Sequence, residues 1–64
     1  MLRVRISINF TDILDTNVVR IKGGTQPDDI NTYEMLDGRT FKHRYGDGAV
    51  SLAMKLLRRI KEPV

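Results

Sequence analysis

The 64-residue chain carries eleven Lys and Arg against eight Asp and Glu, a net charge of +3, with one histidine and no cysteine. That length predicts one domain, residues 1–64, burying only about 60% of its unfolded surface. The missing thiols exclude disulfides and thiolate zinc sites and point to a reducing, cytoplasmic setting. No apolar run approaches the roughly 18 residues of a membrane span, and the alternating N-terminus lacks the continuous apolar stretch of a signal peptide, so no membrane association is expected.

Residues 2–10 alternate. Leu2, Val4, Ile6, Ile8 and Phe10 would point one way and Arg3, Arg5, Ser7 and Asn9 the other, the pattern of a half-buried strand. "TDILDT" is a polar connection, compatible with a single helical turn capped by Thr11 or Asp12. Residues 17–22 read as a second strand ended by Gly23 and Gly24. Its strict alternation puts Val19 and Ile21 on one face and Val18, Arg20 and Lys22 on the other. The loop that follows, "GGTQPDDIN", offers only Ile30 as an anchor.

Residues 32–36 and 39–45 predict a hairpin around Asp37-Gly38. A two-residue loop would split the large apolar side chains between the two faces. A three-residue loop, Leu36-Asp37-Gly38, with Gly38 in the left-handed bulge position, pairs Met35 with Arg39. It gathers Tyr33, Met35, Phe41, His43 and Tyr45 on one face. Because a one-residue slip inverts a strand, the bulged register is preferred. Residues 48–62 predict a helix, capped by Asp47 and stopped by Pro63. Ala49, Leu52, Ala53, Leu56 and Ile60 form its apolar stripe. Val50, Met54 and Leu57 widen that stripe to roughly 200°, more than one small sheet covers. This surplus edge is expected to meet Ile13 and Leu14, Ile30, or a partner, including a second copy in a homodimer. Together the elements predict an α+β fold: a three- to four-stranded antiparallel sheet with a single C-terminal helix packed on one face.

"HRYGDG", residues 43–48, holds the only histidine beside two glycines and a helix start. Phosphate binding there is disfavoured. The glycine spacing matches neither nucleotide-loop pattern, and Asp47 would repel an anion. Catalysis by His43 lacks a base–nucleophile arrangement. The structural reading is a strand-to-helix corner, with His43 hydrogen-bonded at the core rim. Asp12, Asp15, Asp28 and Asp29 would bind a cation only if separate loops converged, and acidic turn residues explain them more simply. No catalytic residue, no metal site and no cofactor is expected, and the chain is not expected to be an enzyme.

Charge placement is the feature above background. In these registers the outer sheet face collects Arg3, Arg5, Arg20, Lys22, Lys42 and Arg44, opposed only by Glu34. Like charges on paired strands destabilise the pairing, so such a face is a cost that a polyanion would offset. The face carries small polar residues and no aromatic ring. It therefore suits duplex DNA better than single strands, whose binding relies on stacking. The order of strands, an Asp37-Gly38 hairpin and one closing helix, over roughly residues 17–62, resembles the small three-stranded DNA-binding modules at the N-termini of some phage tyrosine recombinases. The long first strand departs from that pattern, and no contact residue carries over. Two functions are expected. One is a small non-enzymatic nucleic-acid-binding protein. The alternative is a protein-binding module, such as a phage or mobile-element inhibitor or adaptor, dimeric through Val50, Met54 and Leu57.

Overall fold

The computed structural model describes residues 9–63. Most of the expected first strand therefore lies outside the described residues, and its last two positions are the cap and the first residue of a helix. Asn9 has extended backbone, and its side-chain oxygen accepts from the N–H groups of Thr11 and Asp12 at 3.1 and 3.3 Å. That is an N-cap, and helix α1, Phe10–Asn17, follows it. The expectation of a single C-terminal helix is thus corrected to two α-helices among the described residues, and the short turn capped by Thr11 or Asp12 to two turns capped by Asn9. Asn9 sits where its oxygen reaches the free N–H groups of the first turn. Alternation alone does not register that. The helix ends where the β-branched pair Val18-Val19 takes the chain into extended backbone, with the Val18 N–H still bonded to the Leu14 carbonyl.

Strands β1 (Val18–Lys22), β2 (Ile30–Met35) and β3 (Thr40–Arg44) form a three-stranded antiparallel sheet in the order β1-β2-β3. The β2–β3 hairpin takes the bulged register. Tyr33 pairs with Phe41, the Met35 N–H donates to the Arg39 carbonyl at 2.8 Å, and Gly38 has φ +90. Strict alternation fails in β1. Val18 pairs with Met35 but the next pair is Arg20 with Glu34, so Val19 is an extra residue in a bulge. The extra residue inverts the parity. Alternation would turn Val18 outward with Arg20. Instead Val18 packs against the core, while Arg20 and Lys22 keep the outer face.

The core lies between the inner sheet face and the second helix, α2, Gly48–Lys61. Tyr33, Met35, Phe41 and Leu56 form it, and Leu56 is completely buried. The Tyr33 and Phe41 rings stack with centroids 5.1 Å apart. Ile13 and Leu14 of α1 and Leu52 of α2 close its side. Asn31, on the same inner face, is buried and exchanges two hydrogen bonds with Gly24, at 2.9 and 3.0 Å.

Between β3 and α2 the chain makes a 3-10 turn, Tyr45–Asp47. This changes two expectations. Asp47 has helical rather than extended backbone, so its side chain does not reach over the first turn of α2 and makes no capping bond. It accepts instead from the Arg44 guanidinium at 3.0 and 3.2 Å. Tyr45 leaves the sheet with the turn and is 48% exposed rather than packed inside. Its N–H donates to the Asp29 carbonyl and that of Gly46 to the Pro27 carbonyl, pinning the corner to the β1–β2 loop. A β-carbon on Gly46 would fall 2.6 Å from the Pro27 carbonyl oxygen, which is why the corner needs glycine there. At the other end, Arg39 donates to the carbonyls of Arg59 and Glu62 at 2.8 and 3.3 Å, tying the hairpin to the last turn of α2.

Candidate functional site

The outer sheet face is built by register. Cross-strand partners share a face, so Arg20, Glu34 and Thr40 form one row, Lys22, Thr32 and Lys42 the next, and Ile30 and Arg44 the third. Rows lie about 7 Å apart along the strands, and Lys22 and Lys42, two strands apart, are separated by about 10 Å. Four of the six bases expected on this face are thus brought together: Arg20, Lys22, Lys42 and Arg44. Arg3 and Arg5 lie outside the described residues. Arg44 is held by Asp47 in an ion pair at 3.0 Å. Arg20, Lys22 and Lys42 have no ion-pair partner among the described residues, and neither has Glu34. Both members of an exposed pair stay hydrated, so the single Arg44–Asp47 bridge weakens the positive field of the face only locally.

The centre of the face is concave. Arg20, Lys22, Thr32, Glu34 and Thr40 line a depression of about 160 Å³, with Thr32 and Glu34 half-buried between the more exposed cations. The floor offers one carboxylate and two hydroxyls. The walls offer a guanidinium and an ammonium. Such a surface offers positive charge and hydrogen-bonding groups side by side. Among the described residues the aromatic rings lie elsewhere: Tyr33 and Phe41 are inside, Tyr45 is in the turn and Phe10 is in α1.

The interface expected on α2 is partly open. Val50 and Met54 are 68% and 58% exposed, while Leu57 is half-buried. Ile13 and Leu14 meet α2 on its Ala49, Leu52, Ala53 and Leu56 side. Ile30 stands on the outer face of the sheet, opposite Arg44. Neither covers Val50 and Met54.

His43 is buried, and its Nε2 lies 3.1 Å from the Gly48 carbonyl oxygen. A carbonyl only accepts, so Nε2 carries the hydrogen of that contact, and Nδ1 is buried without a partner among the described residues. A cleft of about 240 Å³ beside it is lined by Tyr33, His43, Tyr45, Gly48, Ala49 and Leu52. Its chemistry is two phenols and one imidazole. One titration is displaced. The Arg39 guanidinium and backbone N–H, both bonded to the Asp37 carboxylate, hold its pKa below the usual carboxylate range. Among the described residues no three His, Cys, Asp or Glu side chains gather as a metal site, and no helix is long and apolar enough to cross a membrane.

Sequence reasoning misses three polar residues that shape the site. Asn31 reads as the end of a loop, although its parity with Tyr33 and Met35 is a signal that places it inside. Arg39 and Lys55 leave no local signal, because their partners are distant backbone carbonyls. Lys55 Nζ donates to the Lys42 carbonyl at 2.9 Å, which covers part of the open edge of β3. No family model matches this chain, nor does any curated protein or solved structure.

Proposed function

We propose that this chain is a small nucleic-acid-binding protein that lays its outer sheet face on duplex DNA, with Arg20, Lys22, Lys42 and Arg44 as its contacts. One observation carries this reading: the strand registers gather those four bases on one face, with Glu34 the single acid in the same strand rows among the described residues. An antiparallel sheet fits a major groove, where lysines meet phosphates and arginines reach base edges. The face lacks rings for stacking among the described residues, which favours the duplex over single strands. Four cations on the face, together neutralising the charge of four phosphates, give a log–log salt slope of about −3.6, or roughly 150-fold weaker binding between about 50 and 200 mM salt. Titration of a random duplex across that range tests it. Arg20→Glu should remove most of the binding and leave the circular dichroism spectrum unchanged. Absent binding at about 50 mM salt, or binding indifferent to Arg20→Glu, would remove the proposal.

A second reading draws on Val50 and Met54, the open apolar strip of α2. It is a protein contact, with a second copy or with the target of a mobile-element inhibitor or adaptor. Sedimentation at rising concentration tests the homodimer, and Met54→Lys should split it. A monomer at every concentration, unchanged by that substitution, retires the dimer.

A further inference from the structure

We infer that Arg20 and Glu34 form a base-reading pair selective for a C·G base pair, in the depression of the face described above. The inference rests on duplex DNA being the ligand of that face. The two residues are direct partners across β1 and β2, so their β-carbons stand about 5 Å apart on the same side of the sheet. No ion pair joins them. Both line the central depression, with Thr32 and Thr40 beside them and Lys22 on its wall.

Among the described residues Glu34 is the one acid in the strand rows of this face, and a phosphate repels it. With Arg20 beside it and Lys22 and Lys42 in the next row, a polyanion whose phosphates seat on those cations brings Glu34 against something other than phosphate. A carboxylate only accepts hydrogen bonds, so that something has to be a donor. In the major groove the donors are the exocyclic amines of cytosine and adenine. Arg20 narrows the choice. Its guanidinium fork matches the paired acceptors O6 and N7 of guanine. Across a G·C pair the groove presents N7 and O6 of guanine and then the amine of cytosine: two acceptors followed by a donor. Arg20 and Glu34 present the complement, a two-donor fork followed by an acceptor. An A·T pair in the same place would set the adenine amine against the guanidinium and the thymine O4 against the carboxylate, both of the wrong sign.

The test is selection from a randomised duplex pool, followed by titration of the selected duplex with each base pair at each position. The wild-type chain should enrich C·G at one position, with a preference on the order of tenfold. Glu34→Gln should move that preference to the pair that puts adenine where cytosine stood and thymine where guanine stood, because a glutamine amide matches N6 and N7 of adenine while thymine O4 still accepts from Arg20. Arg20→Lys keeps the charge but loses the fork, and should flatten the preference while the salt slope stays the same. The two substitutions lie on different strands, and thermal melting of each reports whether the fold is kept. If the wild-type chain binds duplex DNA and enriches no base pair, the inference falls and the binding face stands. It falls equally if Glu34→Gln tightens binding to every sequence alike with the preference unchanged, because Glu34 then only offsets its neighbours' charge. If no duplex binds at about 50 mM salt, the face is not a DNA site and this inference goes with it.

Discussion

Lys42 and Lys55 allow a matched test of the binding face. Lys42 stands on the outer face of β3, in a row with Lys22 and Thr32. Lys55 belongs to α2, on the other side of the sheet, and its ammonium group is bonded to the Lys42 backbone carbonyl at 2.9 Å. Replacing either by glutamine removes one positive charge, so the net charge of the protein falls equally. On the proposed face only Lys42→Gln would remove a phosphate contact. Each phosphate contact contributes about −0.9 to the slope of log affinity against log salt, so Lys42→Gln should change a slope of about −3.6 to about −2.7. Between about 50 and 200 mM salt the affinity would then fall by roughly 40-fold instead of roughly 150-fold. Lys55→Gln should leave the slope where it was. It loses a hydrogen bond at a solvated edge, a change of about 1 kcal/mol in stability at most. The assay is fluorescence anisotropy of a labelled duplex at four or more salt concentrations for all three proteins. Equal changes in slope for the two variants would mean that total charge, not the geometry of the face, governs binding. No change in either would mean that Lys42 does not touch phosphate.

Other expectations follow from the packing and the titrating groups. Leu56, completely buried among Tyr33, Met35 and Phe41, should cost about 3 kcal/mol as Leu56→Ala, most of the stability of a chain this short, and chemical denaturation should find the variant's midpoint moved to very low denaturant. Asn31→Ala strands both the N–H and the carbonyl of Gly24, and should lower the thermal midpoint clearly while leaving the salt slope of DNA binding intact, because the residue faces inward. Asp37 has its pKa depressed in the folded state by Arg39, so its contribution is present above the ordinary carboxylate pKa and is lost as pH falls below it. Denaturation midpoints followed from about pH 5 down to about pH 2 should therefore drop more steeply for the wild type than for Asp37→Asn, and parallel curves would refute this.

Alternation and turn chemistry determined much of the fold without any coordinates. The residues of the hairpin settle its register, because only the three-residue loop puts Tyr33, Met35 and Phe41 on one side, and Gly38 can supply the positive φ that loop requires. The same parity places Lys42 and Arg44 outward, which is why half of the described candidate face is legible from one strand. The amphipathic stripe of α2 and its stop near Pro63 are equally local properties.

The tertiary structure decided what depended on distant partners. Val18 faces the core only because a bulge in β1 absorbs Val19, and a bulge is chosen by the neighbouring strand rather than by the residues it contains. The polar segment after Asn9 becomes a full helix because α2 offers Ala49, Leu52 and Leu56 as a surface for Ile13 and Leu14, and short helices draw most of their stability from such packing. Asp47 serves Arg44 instead of capping α2, since the 3-10 turn fixes its backbone in a helical conformation. The pairing of Arg20 with Glu34, on which base selection would turn, joins two strands across a connecting loop whose residues carry no trace of it. Local pattern fixes which side of a strand a residue occupies, whereas the partner it meets there is a property of the assembled sheet.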